Sequence, residues 1–226
     1  VAESPSVHTM IAASAVGYYG ADRGDEVLTE TSERGEGFLA DVVSEWEAAT
    51  VVAAEAGKRV MNVRFGAIMS ARSGILPVLK ALFSTGLGGS FGDGQIWFPW
   101  ISIDDATDIL TRGVLDPAWS GPVNAVSPTE TLNRDLTAAL STELRRPAFI
   151  PIPSIGPAII LGRQGAQELA LANQRVRPQM LLDADHTFRY PTLDRTLAHE
   201  LGGESLFDAV RELEAPEGEN QLGLDG

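Results

Sequence analysis

The sequence contains no cysteine among its 226 residues. This absence excludes disulfide bonds, thiolate nucleophiles and cysteine-ligated metals, and it fits a protein of the reducing cytoplasm. Lysine is also scarce, since Lys58 and Lys80 are the only two, and the formal net charge is −14. Nucleic acids and anionic lipids are bound by basic surfaces, so this charge argues against both kinds of partner.

Long apolar runs and a charged leader segment are lacking as well. No stretch approaches the roughly 20 apolar residues that a membrane span needs, and nothing near Val1 predicts export. The histidines, His8, His186 and His199, are widely separated and predict no metal site. The apolar content of 44% and a mean hydropathy of +0.01 are typical of a soluble globular protein, which we expect in the cytoplasm.

The first third of the chain predicts a strand–helix–strand unit. Thr9–Ala15 and Arg59–Phe65 read as buried strands, and a helix over residues 37–57 connects them. Such a crossover predicts that the two strands are parallel neighbours. The segment 16–36, rich in Gly, Asp and Glu, reads as a long loop. On the helix, an apolar stripe at spacings of three and four is expected to face the core: Phe38, Val42, Trp46 and Ala49.

The rest of the chain alternates between short elements and loops. Its pattern predicts helices at 76–84, 104–115, 131–144 and 193–201, strands at 97–103 and 121–126, a glycine-rich loop at 86–94, and two or three short helices between 147 and 182. The tail after Leu213 has low hydrophobicity and reads as disordered.

Four motifs occur in a characteristic order: "ASAVGYYG", "VRFGAIMS", "GDGQIWFPWISIDD" and "GPVNAVSP". With them the chain resembles an extended short-chain dehydrogenase/reductase, and more closely the atypical epimerase-like subfamily of the NAD-dependent epimerase/dehydratase family. The segments "GAQELALANQRVRP" (165–178) and "FRYPTLDRTL" (188–197) resemble the small C-terminal domain of unknown function that ends these proteins. The resemblance covers about residues 11–202.

The resemblance implies an α/β fold. We expect the C-terminal part of a Rossmann-like doubly wound parallel sheet (1–70), a smaller α+β substrate domain interleaved with a returning strand (71–147) and a short helical C-terminal domain (148–202). Residues 203–226 are expected to form a terminal helix and an acidic tail. The family's G-x-x-G-x-x-G fingerprint is not found in the chain, so we expect the N-terminal nucleotide-binding part, with its strands, to precede Val1.

The family also implies a cofactor and a small-molecule substrate. NAD or NADP is expected, with contacts from Ala13, Arg64 and the backbone of Gly66, Ala67 and Ile68. The choice between the two cofactors is not readable from these residues, because the residue that sets it belongs to the N-terminal part.

Proton transfer in the wider family uses a Ser with a Tyr-x-x-x-Lys pair, in which the lysine lowers the tyrosine pKa. Ser14 matches the serine. Leu39 and Val43 occupy the Tyr and Lys positions, and neither can move a proton. Tyr19 is the candidate replacement, with Ser14 and Tyr19 opening into one cleft; the alternative is that Tyr18 and Tyr19 only pack.

Aromatic residues stand where a charge clamp is expected for the substrate. In relatives that use nucleotide sugars an Arg grips the pyrophosphate, and Phe98 occupies its place. We expect substrate contacts from six residues, some of which strand alternation will bury: Tyr18, Trp97, Phe98, Trp100, Gln174 and Arg175. Asp104 and Asp105 read as the start of a helix.

Two functions remain open on the sequence. One is an NAD(P)-dependent epimerase or oxidoreductase acting on a sugar nucleotide or another small polar substrate. The other is a non-catalytic nucleotide-binding or regulatory module on the same fold, which the loss of the Tyr-x-x-x-Lys pair favours. The oligomeric state is open, a homodimer included.

Overall fold

The computed structural model describes residues 1–86, 88–90, 92–148 and 172–202. Within these ranges the strands, in chain order, are β1 (Thr9–Ala15), β2 (Asp22–Leu28), β3 (Arg59–Phe65), β4 (Ala67–Ser70), β5 (Ser73–Gly74), β6 (Trp100–Ser102), β7 (Gly121–Ala125) and β8 (Asn173–Val176). The helices are α1 (Phe38–Ala48), α2 (Val51–Glu55), α3 (Ile75–Ser84), α4 (Ile103–Leu115), α5 (Asn133–Glu143), α6 (Gln179–Asp183) and α7 (Leu193–Leu201).

Three strands build the central sheet in the order β1-β3-β7, and all pairs are parallel. The predicted bounds of β1 and β3 and their parallel pairing are confirmed. Among the described residues β1 lies at one edge of this sheet. Parallel strands end at a common edge, which is where ligands bind in open α/β sheets.

One face of the sheet carries the main apolar core. Met61, Val63 and Val123 point to this side and pack against Ile109 of α4. A Cβ at Gly113 of the same helix would lie 2.3 Å from the Met61 Cε atom, so the glycine lets α4 approach the sheet closely. The interior of this face is mostly apolar, as expected for a parallel sheet covered by helices, and the buried ring of His186 packs against Trp119 at its border.

The opposite face is covered by α1 and α2, and here the predicted apolar stripe is wrong. Phe38 is 58% exposed and Trp46 is 56% exposed. The buried positions of α1 are Ala40 and Val43. The helix face that meets the sheet also carries Glu47, which belongs to the candidate site described below. The predicted single helix is in fact two, separated at Ala49 and Thr50.

A two-stranded parallel sheet was missed by the sequence patterns. The segment read as a long loop contains a 3-10 turn, Val16–Tyr19, and β2, which pairs with β8 near the C-terminus. β2 reads "DRGDEVL" and is mostly exposed, so it lacks the alternation that marks a half-buried strand. Its pairing depends on a segment 150 residues away, which local patterns do not report.

A second core lies beside the central sheet. Helices α3, α5 and α7, predicted within one or two residues at most ends, pack around Trp100 of β6 and Met69 of β4. β6 is shorter than the predicted 97–103 strand, since Pro99 lacks an N–H for a ladder. Two or three short helices were predicted between 147 and 182, and residues 149–171 of that range, like the tail after Leu213, lie outside the described residues. In the described part the prediction is wrong for Asn173–Val176, which forms β8, and a helix follows at Gln179–Asp183. No described helix is both long and apolar enough to cross a membrane.

Candidate functional site

A row of polar residues crosses the three central strands near their carboxyl ends. Ser14 of β1 is in register with Arg64 of β3, which is in register with Asn124 of β7. All three are at most 6% exposed. Residues in register on parallel strands point to the same face, so their side chains form one line beneath α1. We call these three residues the polar row.

Glu47 of α1 closes the row from above. The Ser14 hydroxyl donates to Glu47 Oε1 at 2.6 Å, and Arg64 donates from Nε and Nη2 to the two carboxylate oxygens at 2.8 Å each. This forked geometry is the strongest form of a charge-assisted hydrogen bond. Burial opposes the charge of Arg64, but its contacts with Glu47 and Tyr19 outweigh burial and raise its pKa, so the guanidinium stays charged.

Tyr19 is part of the same network and is fully buried. Its hydroxyl accepts from Arg64 Nη1 at 3.0 Å and lies 2.7 Å from Asn124 Oδ1 and 2.9 Å from the Thr29 carbonyl oxygen. Burial raises the pKa of Tyr19, and the nearby Arg64 charge only partly offsets this. The prediction that the Ser14 and Tyr19 hydroxyls open into one cleft is therefore wrong, because both are used inside the protein.

Tyr18, next to it, takes a different position. Its ring lies over the Arg64 guanidinium, with 3.5 Å between Arg64 Cζ and the ring centre, which is a close cation–π contact. The ring is half-buried and borders an open groove of about 920 Å³ together with Glu47 and Asn62. Its role as a substrate contact stays a prediction.

Leu39 and Val43, which occupy the positions of the family's Tyr and Lys, pack against the 3-10 turn. Val43 is 2% exposed, and a Cβ on Gly17 would lie 3.4 Å from Leu39 Cβ and 3.7 Å from Val43 Cγ2. These aliphatic side chains pack against the turn and leave no proton-transfer group at those positions. The side chain one turn further along the helix, Glu47, is ionisable but is paired as described.

The candidate cofactor contacts differ in how exposed they are to solvent. Ala13 is exposed on the edge strand, whereas Arg64 is 3% exposed and committed to Glu47. Gly66, Ala67 and Ile68 are half-buried at the end of β3 and the start of β4.

The backbone N–H groups of two of these residues are already used. Gly66 donates to the Ala125 carbonyl and Ala67 to the Pro99 carbonyl. A Cβ on Gly66 would lie 2.7 Å from that Pro99 oxygen, so the glycine serves a close contact within the protein. The cofactor role of this segment stays a prediction.

Five of the six candidate substrate residues line one small cleft. These residues, which we call the aromatic cleft, are Trp97, Phe98, Trp100, Gln174 and Arg175. Its free volume of about 10 Å³ is close to the space of one water molecule. Trp100 is 1% exposed and donates from its indole to Thr131, while Trp97 and Phe98 keep part of their surface open.

Arg175 lies across the mouth of the aromatic cleft. Its Nε donates to Glu130 at 2.6 Å, and its guanidinium lies 4.8 Å from the centre of the Trp97 indole. The two charged side chains are 31% and 24% exposed, so solvent reaches this pair. The indole N–H of Trp97 donates to Asp25 at 2.9 Å.

Asp105 has the structural role that the sequence suggested, with a different helix cap. Ser102 is the N-cap of α4 and accepts from the Asp105 backbone N–H. The Asp105 carboxylate accepts from the N–H groups of Arg189 and Tyr190, which fastens the C-terminal segment to α4. Among the described residues no cluster of three or more His, Asp or Glu side chains could hold a metal ion.

The sequence reasoning missed Glu47, Asn124 and Glu130 as parts of the site. A signal existed for Asn124, because "GPVNAV" places an amide in an otherwise apolar strand, where a buried amide needs partners. Glu47 carried no such signal. It reads as one more acidic residue on a helix rich in them.

The family model of the domain of unknown function DUF1731 matches residues 152–200. The epimerase family protein Mb2239 of Mycobacterium bovis is 37% identical over 193 residues, which is 85% of this chain and 64% of that protein. The chain thus spans just under two thirds of the length of this relative.

Two solved structures are similar over most of the chain. A nucleoside-diphosphate sugar epimerase from Corynebacterium glutamicum is 50% identical, with a TM-score of 0.78, covering 94% of this chain and 41% of the other. The human epimerase family protein SDR39U1, solved with NADPH, is 28% identical, with a TM-score of 0.80, covering 89% and 68%. The chain accordingly has a Rossmann-like α/β fold like that of these epimerase structures. Its sequence is similar to that of an epimerase family protein, and residues 152–200 match the DUF1731 model.

Proposed function

We propose that the intact protein binds NAD or NADP and acts as an NAD(P)-dependent epimerase or oxidoreductase on a sugar nucleotide or another small polar substrate. The observation that carries the proposal is the likeness to the human protein solved with NADPH, at a TM-score of 0.80. The parallel strands β1, β3 and β7 end at one edge, which is the binding edge of such sheets.

The residues at this edge fit a flat cofactor. Ala13 presents a small exposed side chain on β1, and Gly66, Ala67 and Ile68 keep part of their surface open. A bound nicotinamide would supply the hydride acceptor or donor. The polar row would stiffen the strands beneath it, since Arg64, Glu47 and Ser14 have partners for their side chains.

The aromatic cleft is the proposed substrate site. Trp97 and Phe98 offer apolar surface, and Arg175 with Glu130 offers a polar rim. Aromatic faces beside hydrogen-bonding groups suit a ring with hydroxyls. A ligand larger than water would require Arg175 to move, because the free volume is about 10 Å³.

A specific observation favours the second candidate, a non-catalytic nucleotide-binding or regulatory module. Ser14 and Tyr19 have their hydroxyls inside the protein, and Leu39 and Val43 are aliphatic. Of the proton-transfer candidates that the sequence offered, none opens to a ligand. Under the catalytic proposal we therefore propose Tyr18, the substrate or water as the proton source among the described candidates.

Two measurements on the intact protein test these proposals. Titration with NADPH and with NADH, followed by the nicotinamide fluorescence, is expected to show saturable binding of at least one of them. Absence of binding would contradict both candidates. Incubation with C4-deuterated cofactor and sugar nucleotides then separates them, because deuterium in recovered substrate requires hydride transfer, whereas tight binding without label transfer favours the module.

The remaining expectations stay predictions. They are a cytoplasmic location, a small-molecule partner with no nucleic acid or membrane, and an open oligomeric state that includes a homodimer. The division into segments 1–70, 71–147, 148–202 and 203–226 is likewise a prediction. Size-exclusion chromatography with light scattering measures the oligomeric state directly.

A further inference from the structure

The strand β8 contacts the turn that follows β1, the segment around Trp97 and the segment that follows β7. Gln174, which is 4% exposed, donates from Nε2 to the carbonyls of Val16 and Gly20. These carbonyls flank the 3-10 turn that carries Tyr18 and Tyr19. A single amide group thus joins both ends of the turn.

The neighbouring side chains of β8 point the other way, toward the aromatic cleft. The Asn173 side-chain carbonyl accepts from the Trp97 backbone N–H at 2.8 Å, and Arg175 holds Glu130. Just beyond the strand, the Arg177 carbonyl accepts from the side-chain amide of Asn124 in the polar row. Asn173 and Arg175 therefore contact the segments beside the cleft, whereas Gln174, which also lines the cleft, uses its side-chain amide to bind the turn.

The 3-10 turn positions the aromatic rings of Tyr18 and Tyr19. The Tyr18 ring covers the Arg64 guanidinium, and Tyr19 binds Arg64 and Asn124. The turn is also held from the other side, since Gly35 donates to the Tyr18 carbonyl and Gly20 donates to Gly17. Removing the Gln174 amide would leave two carbonyls at a buried position without this donor.

We propose that β8 positions the Tyr18–Tyr19 turn over the polar row and that Gln174 is the positioning residue. The C-terminal strand then holds the turn through Gln174, and through Asn173 and Arg175 it holds Trp97 and Glu130 beside the aromatic cleft. Gln174 acts through the turn and need not touch a ligand. This inference does not depend on which cofactor or substrate the protein binds.

Hydrogen–deuterium exchange on the intact protein tests the proposal. Gln174→Leu keeps the volume and removes both donors, so we expect the amides of Gly20 and Gly35 to exchange about tenfold faster or more. Peptides from β3 serve as the internal reference and should not change. Gln179→Leu is the matched control, since that side chain bonds Asp183 on α6.

A second variant tests whether Gln174 acts through its hydrogen bonds to the turn or only through the volume of its side chain. In Gln174→Glu the side chain can donate when protonated but not when ionised, so protection of Gly20 should be lost at pH 8 and partly restored at pH 5 after correction for intrinsic exchange. Gln174→Leu should show no such recovery. If Gln174→Leu fails to fold, this pH profile alone decides the question.

The Arg64 Nε–H signal in an NMR spectrum provides a spectroscopic readout. The ring of Tyr18 at 3.5 Å shifts this signal, and Tyr18→Leu gives its value without the ring. We expect Gln174→Leu to move the signal toward the Tyr18→Leu value. Unchanged exchange at Gly20 and Gly35 together with an unchanged Arg64 signal would overturn the proposal.

Discussion

The polar row and the aromatic cleft lie at the same end of the central sheet but are built in opposite ways. In the row, Arg64 is 3% exposed, and it is paired with Glu47 and Tyr19. At the cleft, Arg175 and Glu130 are 31% and 24% exposed, and aromatic rings keep open surface. The side chains of the row bind one another, with Glu47 at the border of the open groove beside Tyr18, and the cleft is open at its rim.

The difference shows that residue types common in active sites can serve a structural role when they are buried. Ser14, Tyr19 and Arg64 have the groups needed for proton chemistry, yet a buried polar group must first find partners, and here they find each other. We therefore interpret the row as structural support for the proposed site. Tyr18, Trp97, Phe98 and Arg175 keep part of their surface open, as do the proposed cofactor residues at the end of the sheet other than Arg64.

The largest expected effect is at Glu47. Glu47→Ala would leave Arg64 buried without its carboxylate, and breaking a buried ion pair in this way costs about 3–5 kcal/mol. Urea unfolding followed by circular dichroism measures the change. Glu45→Ala, at an exposed position of the same helix, should stay within about 0.5 kcal/mol of wild type.

A double variant sharpens this comparison. Glu47→Leu with Arg64→Met replaces the pair by apolar groups, so it should be more stable than Glu47→Ala alone. A single Glu47→Ala loss below about 1 kcal/mol would show that solvent supports Arg64, and the pairing within the row would then contribute little to stability.

The next effect is at Tyr19. Tyr19→Phe removes the hydroxyl that meets Arg64 Nη1 and Asn124 Oδ1, and unpaired buried groups cost about 1–3 kcal/mol. Tyr18→Phe, whose ring stays over Arg64, should change the free energy of unfolding by less than about 0.5 kcal/mol. Equal losses in both variants would contradict the different roles assigned to the two tyrosines.

Much of the fold was predictable because its signals are local. β1, β3 and α7 were predicted at their observed bounds, since apolar runs and helix periodicity report on neighbouring residues. β2 and β8 were missed because they pair with each other across 150 residues and are short and polar. The stripe Phe38–Trp46 was placed on the wrong side, since periodicity finds an apolar face but not what it packs against.

The sequence predicted the positions of the candidate site residues better than it predicted their chemical roles. Five of the six residues proposed from the motifs as substrate contacts line one cleft, and their role as contacts stays a prediction: Trp97, Phe98, Trp100, Gln174 and Arg175. The roles of Ser14 and Tyr19 failed, because a strand position shows that a hydroxyl is near the carboxyl edge but not which face it takes. That face is set by Arg64 and Glu47, which come from other elements.

A smaller, pH-dependent effect is expected at Glu30, which supports the row from outside. Its carboxylate accepts from the Asn124 backbone N–H at 3.0 Å and from the first backbone N–H groups of α6. Burial raises the pKa of Glu30, so the folded protein holds this proton at pH values where the unfolded chain has lost it. This contribution to stability is fully present below the ordinary carboxyl pKa and is lost as pH rises through the raised one.

Glu30→Gln should remove that part of the pH dependence. The stability of the variant relative to wild type is expected to increase as pH rises above the ordinary range of a glutamate, measured by urea unfolding at several pH values. Glu55→Gln, at an exposed position of α2, is the control. It should not change how the free energy of unfolding depends on pH. Parallel curves for Glu30→Gln and wild type would contradict the assignment.

The smallest effect on stability is expected at the rim of the aromatic cleft. Arg175→Ala breaks the ion pair with Glu130, and because both side chains are partly solvated the loss should be about 0.2–1 kcal/mol and smaller still in 0.5 M salt. Arg134→Ala, whose exposed pair with Asp135 is longer at 3.7 Å, should cost no more than this. The rim can give up its ion pair to a ligand only if the pair contributes little to folding. A loss above about 2 kcal/mol, insensitive to salt, would make Arg175 a structural residue like Arg64, and the contrast between the two regions would disappear.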